Sequence, residues 1–278
     1  MVKAAFKTFV VTLSLLLISI SYSVADSKAK SNELVFGILS TGKNAYTTAQ
    51  WKLLLDQVSL NAGQKIRFEA VDNAEDFERN LSRGAYDFVL LNAHMYTQVH
   101  DAIGYRAFAK EQGQKDKGVI VVHRDSSIKT LADLNSQTLA LSDPRRYSST
   151  VLTRANLNRK GIDVNEEFVE TDNSVYRAVA HGKYAAGAGE MNSFNGINPN
   201  AHAKLRVIWS SRQYSSNAFA VHPRVKEDQL ARFQKALLSL GNDDKGKRLL
   251  SNVKFKGITA AADQEWDDVR ALKRHLSQ

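Results

Sequence analysis

"ELVFGILSTGKNAYTTAQWKLLLDQVSLNAGQKIRFEAV", residues 33–71, carries three elements in succession. "ELVFGIL" is a short apolar run, which reads as a buried strand. "AQWKLLLDQVSLNAG" spaces its apolar residues as one face of a helix and stops at Gly63. "KIRFEAV" reads as a second strand. Strand, helix and strand in this order predict a crossover unit, whose strands lie parallel because the helix must return across the sheet.

The alternation continues outward from this unit. "AEDFERNLSRG" reads as a helix, "YDFVLLN" as a short buried strand, and a further helix starts at about Ala93. "KGVIVVHRD", "TLAL", "EEFVE", "YAAGAGE" and "KLRVIWS" read as strands, with helices at "LADL", "SSTVLTRANL" and "SVYRAVAHG" between them. The fold class is therefore α/β, with mainly parallel sheets flanked by helices. "VIVVHRDS" and "RVIWSSRQYSSNAFAVHP" read as strands that leave one lobe and return to it. Crossings near Arg124–Ser127 and Ser210–Ser215 would enclose a second lobe, 125–210, between two parts of a first lobe, 26–124 and 211–278. The helical tail from "KEDQLARFQKALLSLG" to "EWDDVRALKRHL" is expected to pack back on the first lobe. No internal repeat is present.

Composition narrows the function classes. The 278 residues include no cysteine, which excludes disulfides, thiolate chemistry and Cys-bound metal. The formal net charge is +9 and is scattered, without the arginine-rich or aromatic-interleaved run of a nucleic-acid binder. It reads as a solvated surface that favours anionic partners. At the start, Lys3 and Lys7 precede "FVVTLSLLLISI", and "SVA" ends at Ala25. This pattern predicts a secretory leader over residues 1–25, its apolar core too short to span a membrane comfortably. A retained N-terminal anchor is the alternative. An exported chain with no lipid-attachment cysteine fits the periplasm.

Ligands of α/β folds sit at the carboxyl ends of strands and at helix N-termini. The polar residues at such places are Ser40, Thr41 and Tyr46 after the first strand, then Asn92 and His94 after "DFVLL". Ser148, Ser149, Thr150, Asp172, Glu190 and Asn217 complete the set. "SDPRRYSSTVLTRANLNRKGI", residues 142–162, puts three hydroxyls beside two arginines at a helix start. Free N–H groups there make an anion site, or the hydroxyls simply cap the helix. Tyr46 either walls a ligand or packs between loops, and His94 faces either the cleft or the surface. No His-x3-His pair occurs, and "GKYAAGAGE" lacks dinucleotide or P-loop spacing. Ser148 lacks a nucleophile elbow. Neither an enzyme, a cofactor nor a metal is expected.

In "FGILSTGKNAYTTAQWKLLLDQV", "DFVLLNAHMY", "GVIVVHRDSSIKTLADLNSQTLALSDP", "SSTVLTRANLNRKGI", "AVAHGKYAAGAGE" and "LRVIWSS", taken in order, the chain resembles the phosphate/phosphite/phosphonate-binding subunits of ABC transporters. These are type II periplasmic binding proteins. The resemblance implies two lobes joined by two crossing strands, and a monomer that closes on a small oxyanion and delivers it to an ABC permease. The alternative is a binding protein of this fold that signals to a membrane sensor kinase or cyclase. The resemblance also implies that Ser148, Ser149 and Thr150 grip the phosphonate oxygens.

Elsewhere the pattern departs. The family's histidine falls at Asp172, its tyrosines fall near Asn73 and at Leu91 or Asn92, and the acid of its last cleft loop falls at Asn217. Glu190 or Asn192 keeps something of the carboxylate that holds an aminoalkylphosphonate amine. Asp172 either meets a protonated ligand or caps the helix it begins.

Overall fold

The structure is a computed structural model and describes residues 33–40 and 45–272. The leading crossover unit forms as the sequence predicts. Strand β1 (Leu34–Leu39) pairs parallel with β2 (Ile66–Val71) across helix α1 (Ala45–Ala62). Trp51, Leu54, Leu55, Val58 and Ala62 lie on one stripe of α1 and are buried. Gly63 ends the helix at φ +60°, a conformation glycine adopts without strain.

The chain continues through α2 (Ala74–Ser82), β3 (Phe88–Leu91), α3 (Ala93–Ile103) and β4 (Arg106–Glu111). The short β5 (Lys115–Asp116) leads to β6 (Gly118–His123), β7 (Thr138–Leu141) and α4 (Leu152–Arg159). Next come β8 (Asn165–Phe168), α5 (Asp172–Ala180), β9 (Ala186–Glu190), α6 (Met191–Asn195), α7 (Pro199–Ala203) and β10 (Leu205–Ser210). The return runs through β11 (Tyr214–Ser215), β12 (Ala218–Val221), α8 (Glu227–Ser239), α9 (Asp244–Asn252), β13 (Ile258–Ala260) and α10 (Asp267–Arg270).

Two sheets result. The first has the order β13-β4-β12-β3-β1-β2 and the second β10-β6-β9-β7-β8. Each keeps a parallel centre, β3-β1-β2 in one and β9-β7-β8 in the other. Strands that enter from a crossing run antiparallel to that centre, so each sheet is mixed rather than mainly parallel. In the tail, α8 and α9 pack on α1 and the first sheet.

The outgoing crossing differs from expectation. Strand β6 belongs to the second sheet, paired with β9 and β10, so the chain has already crossed at β5. The crossing lies upstream of Arg124–Ser127, at Lys115–Asp116, where β5 pairs antiparallel with β11 and Asp116 faces Tyr214. The return runs from β10 of the second sheet through β11 to β12 of the first.

Both faces of each sheet are covered. On the first sheet, Phe36, Phe88, Phe108 and Phe219 pack beneath α1 and α8, the Phe88 ring stacked on Phe233 of α8 at 4.0 Å. Its other face buries Phe77, Tyr86, Tyr96, Tyr105 and Trp266, and this cluster runs on into Tyr147, Leu152 and Tyr214. The second sheet packs Val119, Val121, Val175, Tyr176 and Val179 on one side and Ile120, Leu139, Leu141 and Leu157 on the other.

Candidate functional site

A cavity of about 380 Å³ gathers the carboxyl ends of β1, β3 and β9 and the loop after β7. Its wall includes Leu39, Asn92, Asp143, Ser148, Glu190 and Asn217, from both sheets. The crossing supplies Gln114 and Asp116, and the end of β4 supplies Glu111.

The helix start expected after "SDPRRY" is a π turn, Tyr147–Val151, which leads into α4. The Arg146 carbonyl accepts from both Thr150 N–H (2.9 Å) and Val151 N–H (3.1 Å). The N–H groups of the turn before Thr150 precede the first intrahelical bond and remain available to an acceptor. Ser148 and Tyr147 line the cavity beside Arg145 and Arg146. Ser149 and Thr150 are fully buried behind them. The buried Thr150 Oγ1 and Tyr147 hydroxyl have no hydrogen-bond partner among the described residues. The close fit of this turn requires a glycine beneath it, since a Cβ on Gly118 would sit 2.6 Å from the Ser148 carbonyl oxygen.

Asp172 has a different job from either expected one. Thr171 caps α5, accepting from Ser174 N–H at 3.1 Å, and Asp172 follows it, 4% exposed. Its carboxylate accepts from the Ser142 hydroxyl at 2.6 Å and from Glu190 N–H at 3.0 Å, with Arg146 Nε at 4.0 Å. Ser149 Oγ lies 3.4 Å from Ser142 Oγ. Asp172 therefore ties together the end of β7, the end of β9 and the arginine at the π turn. It braces the wall from behind and does not line it.

The remaining expected residues divide between the cavity and its surroundings. Asn92 lines it and caps α3 by accepting from Met95 N–H at 2.9 Å. His94 stands behind the wall, its ring stacked on Tyr147 at 6.5 Å with the planes 6° apart. Ser40 shares a 3.1 Å hydroxyl contact with Thr48 and lies off the wall. Thr41 and the Tyr46 side chain lie outside the described residues.

Of the acids at the site, Glu190 is expected from the sequence, and Glu111 and Asp116 are additions that sequence reading missed. Burial lifts the Glu190 carboxyl, Asp172 lifts it further, and Arg146 opposes both. Burial also lifts Asp116 well above the ordinary aspartate value, reinforced by Glu190 and Glu111. Glu111 is raised by burial, offset by Lys256. The cavity thus sets arginines, a hydroxyl and helix N–H groups beside a wall of crowded carboxyls. The signal for that wall was the acid-bearing segment Glu111–Asp116, which became visible as cleft only once the crossing was located. Among the described residues no cluster of three or more metal-ligating side chains occurs, and no helix is long and apolar enough to cross a membrane.

Asp116 gives a pH prediction. The folded chain holds this proton at pH values where the unfolded chain has lost it, so stability falls as pH rises from about 4 through the raised folded value. Asp116→Asn should therefore raise the urea midpoint at pH 7, with the gain shrinking towards pH 4. Equal midpoints for parent and variant at both pH values would refute the assignment.

A family model described as the periplasmic substrate-binding protein of phosphonate ABC transporters matches residues 36–266. The sequence has no match among curated proteins. Among solved structures, XAC2383 from Xanthomonas citri, bound to chloride ion, aligns with a TM-score of 0.78 at 20% identity, over 89% of this chain and 98% of that one. PhnD1 from Prochlorococcus marinus, in complex with methylphosphonate, gives 0.73 at 15% identity, covering 88% and 98%. A binding protein component of an ABC phosphonate transporter from Pseudomonas aeruginosa (PA3383) gives 0.71 at 16%, covering 88% and 86%. At these identities the likeness to solved structures is one of fold, that of a two-lobed type II periplasmic binding protein.

Proposed function

The chain belongs to the periplasmic substrate-binding proteins of phosphonate ABC transporters, and from that premise we propose that its cleft captures a small phosphonate-type oxyanion bearing a cationic substituent. Members of this family bind a substrate for a membrane permease and do not transform it. The observation that carries the ligand reading is the pairing of opposite charges in one cavity. The Ser148 hydroxyl, the open N–H groups of the π turn, Arg145 and Arg146 suit the oxyanion. Glu111, Asp116 and Glu190 suit a cation, whose arrival would also relieve their crowding. A bare dianion would instead meet that wall with repulsion.

Calorimetry at pH 7 tests this. An aminoalkylphosphonate should bind about tenfold or more tightly than the alkylphosphonate of the same length, the worth of one charge-assisted hydrogen bond. Equal affinities, or tighter binding of the alkyl compound or inorganic phosphate, would overturn the cationic half. The protein acts as a monomer in this reading, with β5 and β11 as hinges, so saturating ligand should reduce the radius of gyration in solution scattering.

Export through residues 1–25 completes the proposal. Mass spectrometry of periplasmic extract should find a chain starting near Asp26; a chain retaining Met1 in the membrane fraction would contradict it.

A further inference from the structure

A second cavity, of about 410 Å³, lies outside the cleft and shares none of its lining residues. It is built around the return crossing. Asn156 and Arg159 come from α4, Trp209 from β10, Arg212 from the link to β11, Tyr214 from β11 itself, and Leu272 from just beyond α10. Among the described residues no carboxylate lines it, in contrast to the acid-rich cleft.

Its two arginines form no ion pair among the described residues. Arg159 donates to the Asn156 side chain at 2.9 Å, and Asn156 in turn donates to the Leu152 carbonyl at 2.8 Å. Arg212 lies over the Tyr214 ring at 4.7 Å and reaches the Asp268 carbonyl at 3.4 Å. Arg159 is held by a neutral partner, Arg212 feels the Asp268 carboxylate without pairing with it, and both keep donors for an anion. Trp209, Tyr214 and Leu272 supply flat and apolar wall, and the volume is within the range of small-molecule sites.

We propose that this rear cavity is a second binding site, for a small aromatic anion such as an aryl phosphate or aryl carboxylate. The two arginines take the charged group, and the ring lies against Trp209 and Tyr214. Tyr214 also meets Tyr147 of the cleft wall edge-on, with centroids 6.4 Å apart, so one aromatic partition separates the two sites.

The three tryptophans make the test selective. Trp51 lines the cleft, Trp209 lines the rear cavity, and Trp266 is fully buried. Protein labelled with 5-fluorotryptophan, its resonances assigned with single Trp→Phe variants, is titrated with phenyl phosphate and with inorganic phosphate. Phenyl phosphate should move the Trp209 resonance saturably. Arg159→Ala and Arg212→Ala should each raise the midpoint of that titration about tenfold, the loss of one charge-assisted contact, while the Trp266 resonance stays in place. Ser148→Ala should leave the Trp209 titration unchanged, so a failure of the cleft reading is seen separately. Three results would overturn the site: movement of Trp51 only, no movement of any resonance, or a Trp209 titration indifferent to both arginine variants. An equal midpoint for inorganic phosphate would overturn the aromatic ligand class.

Discussion

Ser148→Ala should weaken phosphonate binding by roughly ten- to a hundredfold, because a hydrogen bond from a hydroxyl to a charged oxygen contributes about 1.5–3 kcal/mol. Ser148 is the hydroxyl of the Ser-Ser-Thr run that lines the cleft, beside Arg146. Its neighbour is the natural control. Ser149 is fully buried and faces Ser142 instead, so Ser149→Ala should lower the unfolding midpoint slightly and change affinity by no more than about threefold, under 1 kcal/mol. Calorimetric titration of both variants with an aminoalkylphosphonate separates the cases. Unchanged affinity in Ser148→Ala would remove the π turn from the binding reaction.

Trp266→Ala should produce the largest loss of stability, about 3–5 kcal/mol for emptying so large a buried site. The indole is fully buried, meets Tyr96 at 4.9 Å, and donates to the Ser216 carbonyl at 2.8 Å. Ser216 and Asn217 line the cleft, so the variant should also weaken ligand binding. Phe233→Ala empties an equally buried site on the opposite face of the first sheet and should cost a similar amount, with ligand affinity retained. Denaturant unfolding with calorimetry on the two variants checks both halves. Equal affinities in the two would show that the Trp266–Ser216 bond has no part in shaping the cleft.

The parts of the fold written in apolar spacing were legible in the sequence. The α1 stripe from Trp51 to Ala62, its stop at Gly63 and the paired strands around it follow directly from periodicity. The outgoing crossing did not, because β5 is two residues long and too short to show any period. The apolar run of β6 reads equally well in either sheet. That one displacement hid Glu111 and Asp116, and with them all of the acidic wall but Glu190.

The orientation of the hydroxyl run was illegible for another reason. Consecutive side chains of a helical turn point in different directions, so three in a row do not face one cavity equally. Which one faces it depends on the turn's rotation, and that is set by packing against β6 and Tyr214. Asp172 likewise sits beside Thr171, also a capping residue type, and only the bond from Ser174 N–H shows that the threonine takes the role.

The widened turn at Tyr147–Val151 also changes which kinds of heredity this chain can tolerate. A π turn is an α-helical turn carrying one surplus residue. Excising one residue between Arg146 and Leu152 would let the turn close to its ordinary pitch, moving the residues of the turn itself while the flanking chain keeps its direction. Ser148 would leave the cleft and Tyr147 would lose its place between His94 and Tyr214. A single-codon deletion here therefore does more damage than most substitutions at the same positions, and the length of this segment carries as much information as its letters.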